Sequence, residues 1–361
     1  MNISTLFYFA NLGIFCGCIA MVIAYILTQT MNVMQDKPNE AIFKFHSKNT
    51  PLCGGISIFI AYIVLVLGGI EIQNISSTKI LNSHVGDFYE YAGLHFYIAC
   101  CIILCSGIIK DIGNKVKLQL MFYIQMCGFC VFYFLLYLLN IQHDYNMALI
   151  FISICLFLFI STNGINTIDG IHGNAALCGI AILFAICYIS YQTQSNFIAF
   201  ASSVLIGILS IFLLFNYPFG RMFLGDSGAF LLGFCIGALL LLCALHYKIN
   251  MWYCIALLLY PICAMLSSLI IQIFFIRKDN KISWKILWQP HYLHLHTMMW
   301  KSLNHIATLI INGAFICFIV LITYYYKNTM IIFVSSAIFC LIYTICFIVF
   351  YKKNINLYHK A

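Results

Sequence analysis

Runs of about twenty apolar residues recur along the whole of this 361-residue chain, and such a run is what an α-helix needs to cross roughly 30 Å of hydrocarbon. Eleven can be drawn, at approximately 5–28, 54–72, 91–109, 118–139, 146–163, 173–191, 197–216, 229–247, 250–276, 304–326 and 329–351. Inside a bilayer the backbone must satisfy its own hydrogen bonds, so these runs predict helices rather than open sheet. With 63% hydrophobic residues, 8% charged residues and a mean hydropathy of +0.99, the composition excludes a soluble globular domain. The expectation is an all-α, polytopic membrane helical bundle of about eleven spans, with residues 1–361 as a single integral domain. The first run has neither a basic leader nor a small-residue cleavage site, which predicts a retained helix. Eighteen cysteines lie scattered through the apolar runs without metal-site spacing, and read as small apolar fillers.

The basic residues orient the bundle. When the loops are numbered alternately, Lys37, Lys44, Lys48, Lys110, Lys115, Lys117, Arg221, Arg277, Lys278, Lys281, Lys285, Lys301, Lys352, Lys353 and Lys360 fall on one side. Only Lys79, Lys248 and Lys327 fall on the other. Positive residues stay inside, so the N-terminus is expected outside and the C-terminus in the cytoplasm. The same asymmetry accounts for the formal net charge of +8 without a nucleic-acid partner.

Chemistry gathers on that cytoplasmic side. Asn163-Gly-Ile-Asn166-Thr-Ile-Asp169-Gly-Ile-His172-Gly-Asn174 is a polar, glycine-punctuated interruption between two apolar runs. Turn formers would explain its Asn and Gly residues. A carboxylate beside hydrocarbon costs roughly 2.5–3.5 kcal/mol, however, so Asp169 asks for a further reason. Gly107-Ile-Ile-Lys110-Asp111-Ile-Gly-Asn-Lys115-Val-Lys117 places one acid among three lysines at a span end. Those lysines serve either as topological anchors or as a phosphate site. Asn216 to Gly228 carries Arg221 and the run Gly225-Asp226-Ser227-Gly228, where hard oxygen ligands and free backbone N–H groups suit Mg²⁺ and phosphate. Pro290-His-Tyr-Leu-His294-Leu-His296 sets two histidines at i and i+2, on one side of an extended segment. No further ligand stands near them in sequence, which favours contact with headgroups or phosphate over a metal site.

The first cytoplasmic loop, Asp36-Lys-Pro38 through His46 to Pro51-Leu-Cys-Gly54-Gly55, completes a set of five. In this order the set resembles the polyprenyl-phosphate N-acetylhexosamine-1-phosphate transferase family, glycosyltransferase family 4. That family includes the enzymes that start O-antigen and enterobacterial common antigen synthesis and the phospho-N-acetylmuramoyl-pentapeptide transferase of peptidoglycan. The acidic and histidine loops look more like the O-antigen-initiating branch. The resemblance implies transfer of a sugar-1-phosphate from a UDP-sugar to undecaprenyl or another polyprenyl phosphate, with release of UMP, in lipopolysaccharide or cell-wall synthesis. It implies Mg²⁺, with Mn²⁺ as a substitute, on Asp226 with Asn166 beside it, and catalytic roles for Asp111 and Asp169. Substrate contacts are implied for His46, Lys110, Lys115, Lys117, Asn166, His172, Arg221, His294 and His296. The implied setting is the inner membrane of a bacterium, with the active face cytoplasmic; a homodimer is left open.

Two positions depart from the family pattern. Lys110 stands where the first of two adjacent acids is usual, and His172 where many members have Asp or Asn. Any mechanism that needs the acidic pair is therefore in question, and Lys110 is a candidate ligand for the lipid phosphate. The competing classes are a lipid transporter or flippase and a family member that binds without catalysing. Transporters place ionisable groups near the midplane on broken helices, whereas these acids sit at span ends. Reporter fusions or cysteine labelling should find Lys115, Asp169, Asp226 and His294 inside and Lys79 outside. Labelling of 163–173 from the outer face would overturn the orientation.

Overall fold

A computed structural model describes residues 2–31, 33–36, 49–75, 94–113, 118–138, 147–278 and 294–358. They form helices α1 (Ile3–Met31), α2 (Gly54–Ile75), α3 (Leu94–Ile112), α4 (Leu118–Leu138), α5 (Met147–Ile168), α6 (Asn174–Gln192) and α7 (Asn196–Asn216). Then follow α8 (Gly225–Leu245), α9 (Met251–Leu257), α10 (Leu259–Lys278), α11 (Leu295–Ser302), α12 (His305–Tyr324) and α13 (Thr329–Tyr358). Among the described residues nine helices are long and apolar enough to cross a membrane, and α9 with α10, bent by 68° at Leu258, makes a tenth if the pair is one span. Helix α2, of 22 residues, stands where the second run was expected. The polytopic all-α architecture is as the sequence predicts, and all eighteen cysteines are free.

Helix α8 is the axis of the bundle. It is apolar all round, and every residue from Ser227 to Cys243 is buried, as an all-apolar helix inside a large bundle should be. It packs against α2, α3, α5 and α6. Lipid tails are as apolar as leucine, so helix association in a bilayer rests on close packing at small residues. A Cβ at Gly233 would come within 2.6 Å of the Ser161 carbonyl on α5, and the Ser161 hydroxyl donates to the Gly233 carbonyl at 2.6 Å. At the other extreme, α1 and α13 present Phe7, Phe15, Ile23, Phe333, Leu341 and Ile345 outward, which suits helices that face lipid.

The polar stretch differs from its sequence expectation. Helix α5 runs through Asn163, Gly164 and Asn166 to Ile168, and the break is confined to Asp169–Gly173. Gly164 serves packing rather than a turn, because a Cβ there would stand 3.0 Å from the Pro261 side chain on α10. Similarly α8 begins at Gly225, four residues before the expected start, so Asp226 lies in its first turn.

Two loops distant in sequence are stitched together at the start of α8. Strands β1 (Gln35–Asp36) and β2 (Thr50–Pro51) pair antiparallel, Gln35 opposite Pro51 and Asp36 opposite Thr50. The N–H of Phe223 donates to the Pro51 carbonyl at 2.9 Å, and the N–H groups of Gly54 and Gly55 donate to the Phe223 and Leu224 carbonyls at 3.0 Å each. The entry loop and the Gly-Asp loop are thus one hydrogen-bonded platform under Asp226.

Candidate active site

Three carboxylates meet where α3 and α5 end and α8 begins. Asp111, in the last turn of α3, accepts the N–H of Asp226 on Oδ1 at 2.9 Å and the N–H of Ser227 on Oδ2 at 3.0 Å. A helix N-terminus carries unpaired N–H groups and partial positive charge, and a carboxylate answers both. Asp111 therefore caps α8 from another helix. The fit demands glycine at 225: its φ is +74°, and a Cβ there would lie 2.8 Å from Asp111 Oδ2. Gly107, one helical turn before Asp111, lies against the Ser227 backbone, where a Cβ would collide. Both oxygens of Asp111 accept from backbone N–H groups, so its carboxylate positions the start of α8.

Asp226 is held from the same helix end. The Lys110 ammonium donates to Asp226 Oδ1 and lies 5.6 Å from the centroid of the Phe230 ring one turn along α8. Asp169 heads the turn after α5, its N–H bonded to the Asn166 carbonyl at 3.3 Å. Burial, and then the charges of Asp226 and Asp111, push its carboxyl well above the usual carboxylate range. Among the described residues no donor meets the Asp169 carboxylate or Asp226 Oδ2. No three His, Cys, Asp or Glu side chains among them form a complete cage. Mg²⁺ is commonly held by one or two carboxylates with the remaining ligands from water and substrate phosphate. Asp169 and Asp226 are donors of the chemical type that such an ion takes.

A buried amide network fixes the acidic turn. Asn174, fully buried, donates to the Ile168 carbonyl at 2.8 Å and to the Tyr260 hydroxyl at 3.0 Å, and accepts from Asn312 at 3.0 Å. Asn216 Oδ1 accepts the Gly173 N–H at 2.5 Å, and its amide donates to the Met222 carbonyl at 2.8 Å. These two residues, with Tyr260 and Asn312, hold the 169–173 turn on the 217–224 loop. Asn174 and Asn216 stand at the ends of the quoted polar stretches. Tyr260 and Asn312 sit singly in apolar runs with no local signal.

The other expected residues divide. His172 packs on the Phe223 ring at 5.0 Å and edge-on to His305 at 5.6 Å, wedged beside Gly220. It joins loop to loop. Arg221 is exposed, its guanidinium 5.5 Å from the Phe219 ring centroid. Asn166 is half-buried in the last turn of α5. His294 and His296 are not on an extended segment as expected: α11 begins between them, at Leu295. Their rings stack, 5.4 Å apart at 5°, and His294 Nδ1 is 2.6 Å from the Ser268 hydroxyl. His296 is 1% exposed against Gly170, and neither ring nitrogen has a hydrogen-bond partner among the described residues. Burial pulls its imidazole down to about 3, so it is neutral at physiological pH. His46, Lys115 and Lys117 lie outside the described residues.

The sequence pattern of glycosyl transferase family 4 matches residues 93–244, a segment that contains Lys110, Asp111, Asn166, Asp169, His172, Arg221 and Asp226. Phospho-N-acetylmuramoyl-pentapeptide-transferase of Clostridium beijerinckii is 24% identical over 319 residues, covering 85% of this chain and 91% of that protein. The protein of the same name from Clostridium perfringens (strain SM101 / Type A) is 24% identical over 310 residues, covering 84% and 90%. A Bacillus subtilis protein described as "probable undecaprenyl-phosphate N-acetylglucosaminyl 1-phosphate transferase" is 29% identical over 215 residues, covering 57% of this chain and 54% of its own.

Removing the Asp111 carboxylate leaves two N–H groups at the start of α8 unpaired. Asp111→Ala should lower stability by about 1–3 kcal/mol, read as a drop in the thermal midpoint in detergent. Asp111→Asn, which keeps one acceptor, should recover part of it. An unchanged midpoint for Asp111→Ala would show that α8 is not held by this carboxylate.

Proposed function

We propose that the chain is a member of glycosyl transferase family 4, whose pattern matches residues 93–244, and that it transfers a sugar-1-phosphate, an N-acetylhexosamine-1-phosphate, from a UDP-sugar to undecaprenyl or another polyprenyl phosphate. UMP is released, and a cell-surface glycan is begun at the cytoplasmic face of a bacterial inner membrane. The observation that carries the reading is the meeting of Asp111, Asp169, Asp226 and Lys110 at the ends of three apolar helices. Relatives named as phospho-sugar and undecaprenyl-phosphate transferases support it.

In the proposed reaction an oxygen of the lipid phosphate bonds to the β-phosphorus of the UDP-sugar. The bond from that phosphorus to the bridging oxygen breaks, and the oxygen leaves with UMP. A dianionic lipid phosphate needs no base, since a phosphate monoester has its second pKa near about 6. What the protein must supply is placement and positive field for two anions. Asp226 and Asp169 would hold Mg²⁺, or Mn²⁺, with Asn166 adjacent. Bound there, the ion would neutralise the diphosphate and the charge growing on UMP. Asp111 keeps the first N–H groups of α8 and the Asp226 side chain in register. The exposed Arg221 and the cytoplasmic lysines would add to the field, and His294, stacked on buried His296, would border the nucleotide.

Purified protein given polyprenyl phosphate and a panel of UDP-sugars should release UMP with at least one of them. Asp226→Asn, which keeps shape and removes charge, should reduce the rate by at least roughly tenfold while the protein stays folded. No UMP from any sugar would favour a binding or transport role. Wild-type turnover of Asp226→Asn at limiting Mg²⁺ would remove Asp226 from the metal site.

A further inference from the structure

Lys110 is one residue from the carboxylate that clasps α8, and its ammonium is taken up by that helix. Its ammonium is bonded to Asp226 Oδ1, its charge lies over Phe230, and the pair is only 34% and 24% exposed. A residue that served only to anchor the span would send its ammonium outward to the headgroups. This one instead satisfies an oxygen that a divalent ion would use. We propose that Lys110 is a tethered counter-ion for Asp226, which keeps a divalent ion off the site until a nucleotide diphosphate arrives, so that metal and UDP-sugar load together. The inference rests on the reading of Asp226 as a metal ligand.

Lys110 and a divalent ion compete for the same carboxylate oxygen. Without nucleotide, a divalent ion finds two carboxylates and water, and it must first displace an ammonium from Asp226. A diphosphate adds oxygen ligands for the ion and, at the same time, an acceptor for the displaced ammonium. Lys110 then moves from a carboxylate to a phosphoryl oxygen and is unpaired in neither state. It is one-third exposed, so the exchange takes a side-chain rotation rather than a movement of helices. Binding linkage requires the coupling to be reciprocal: nucleotide tightens metal, and metal tightens nucleotide by the same factor.

The test is Mn²⁺ binding to the purified full-length chain, followed by the paramagnetic resonance of free Mn²⁺, with and without UDP. Lys110→Met keeps an unbranched side chain of similar length and removes the charge, and Lys110→Arg keeps the charge. Without UDP, Lys110→Met should bind Mn²⁺ about five- to tenfold more tightly than wild type, in keeping with one partly screened ion pair. Lys110→Arg should behave as wild type, and a thermal melt of each variant verifies that it is folded. UDP should tighten Mn²⁺ binding to wild type by a larger factor than to Lys110→Met. Equal Mn²⁺ affinity of wild type and folded Lys110→Met without UDP would overturn the counter-ion and leave the metal site standing. Absence of Mn²⁺ binding in every variant, with UDP present, would overturn both.

Discussion

Negative charge cannot be left uncompensated beside hydrocarbon, and the arrangement of this protein's functional end follows from that constraint. Asp111, Asp169 and Asp226 come close enough that the charges of the other two oppose ionisation of Asp169. Two of the three have protein partners: the first amides of α8 answer Asp111, and Lys110 answers Asp226. Asp169 has none among the described residues, and burial and the other two charges drive its carboxyl well above its usual range. A cluster with one carboxyl left open differs from a closed structural ion pair, and under the proposed function it is where a cation and an anionic substrate would meet.

Compensation of this kind needs helix ends placed to within a bond length, and the packing of α8 supplies it. Gly55 and Gly107 let α2 and α3 touch the backbone of α8 at Ser227 and Gly228. The bonds from Phe223, Gly54 and Gly55 fix the entry loop to the same point. The helix that passes through the centre of the bundle thereby has its first turn gripped from three directions. Small residues and backbone hydrogen bonds do this, which is how helices associate when burial of apolar surface gives no advantage.

Most of the architecture was legible because the signal for a membrane helix is its length and apolarity, and both are local. Ten of the eleven runs each coincide with one helix, whereas the run at 250–276 is divided into α9 and α10 by a 68° bend, and the acidic positions Asp111, Asp169 and Asp226 appear at helix ends. What the sequence hid was non-local or depended on packing. The partners Lys110 and Asp226 are 116 positions apart, so nothing near Lys110 reveals that its ammonium is already taken. Asn163 to Ile168 reads as an interruption because its residues are turn formers, yet helix continues through them, since Gly164 abuts Pro261 and Asn163 donates to Gln125 at 3.2 Å and to the Phe159 carbonyl at 3.0 Å. His296 looks like a rim histidine, but α11 starts one residue earlier and turns it inward. Tyr260 and Asn312 carry no pattern at all, and only the fold brings them to Asn174.

The central claim is that charge clamps the end of α3 to the start of α8, with Lys110 and Asp226 acting as one unit. A double-mutant cycle tests it most directly: unfolding free energies in detergent and chelator for wild type, Lys110→Met, Asp226→Asn and the double variant. A direct pair should give a coupling of about 0.5–1.5 kcal/mol, with the double variant less destabilised than the two single changes added together. Strict additivity would contradict the account, because the two side chains would then contribute independently.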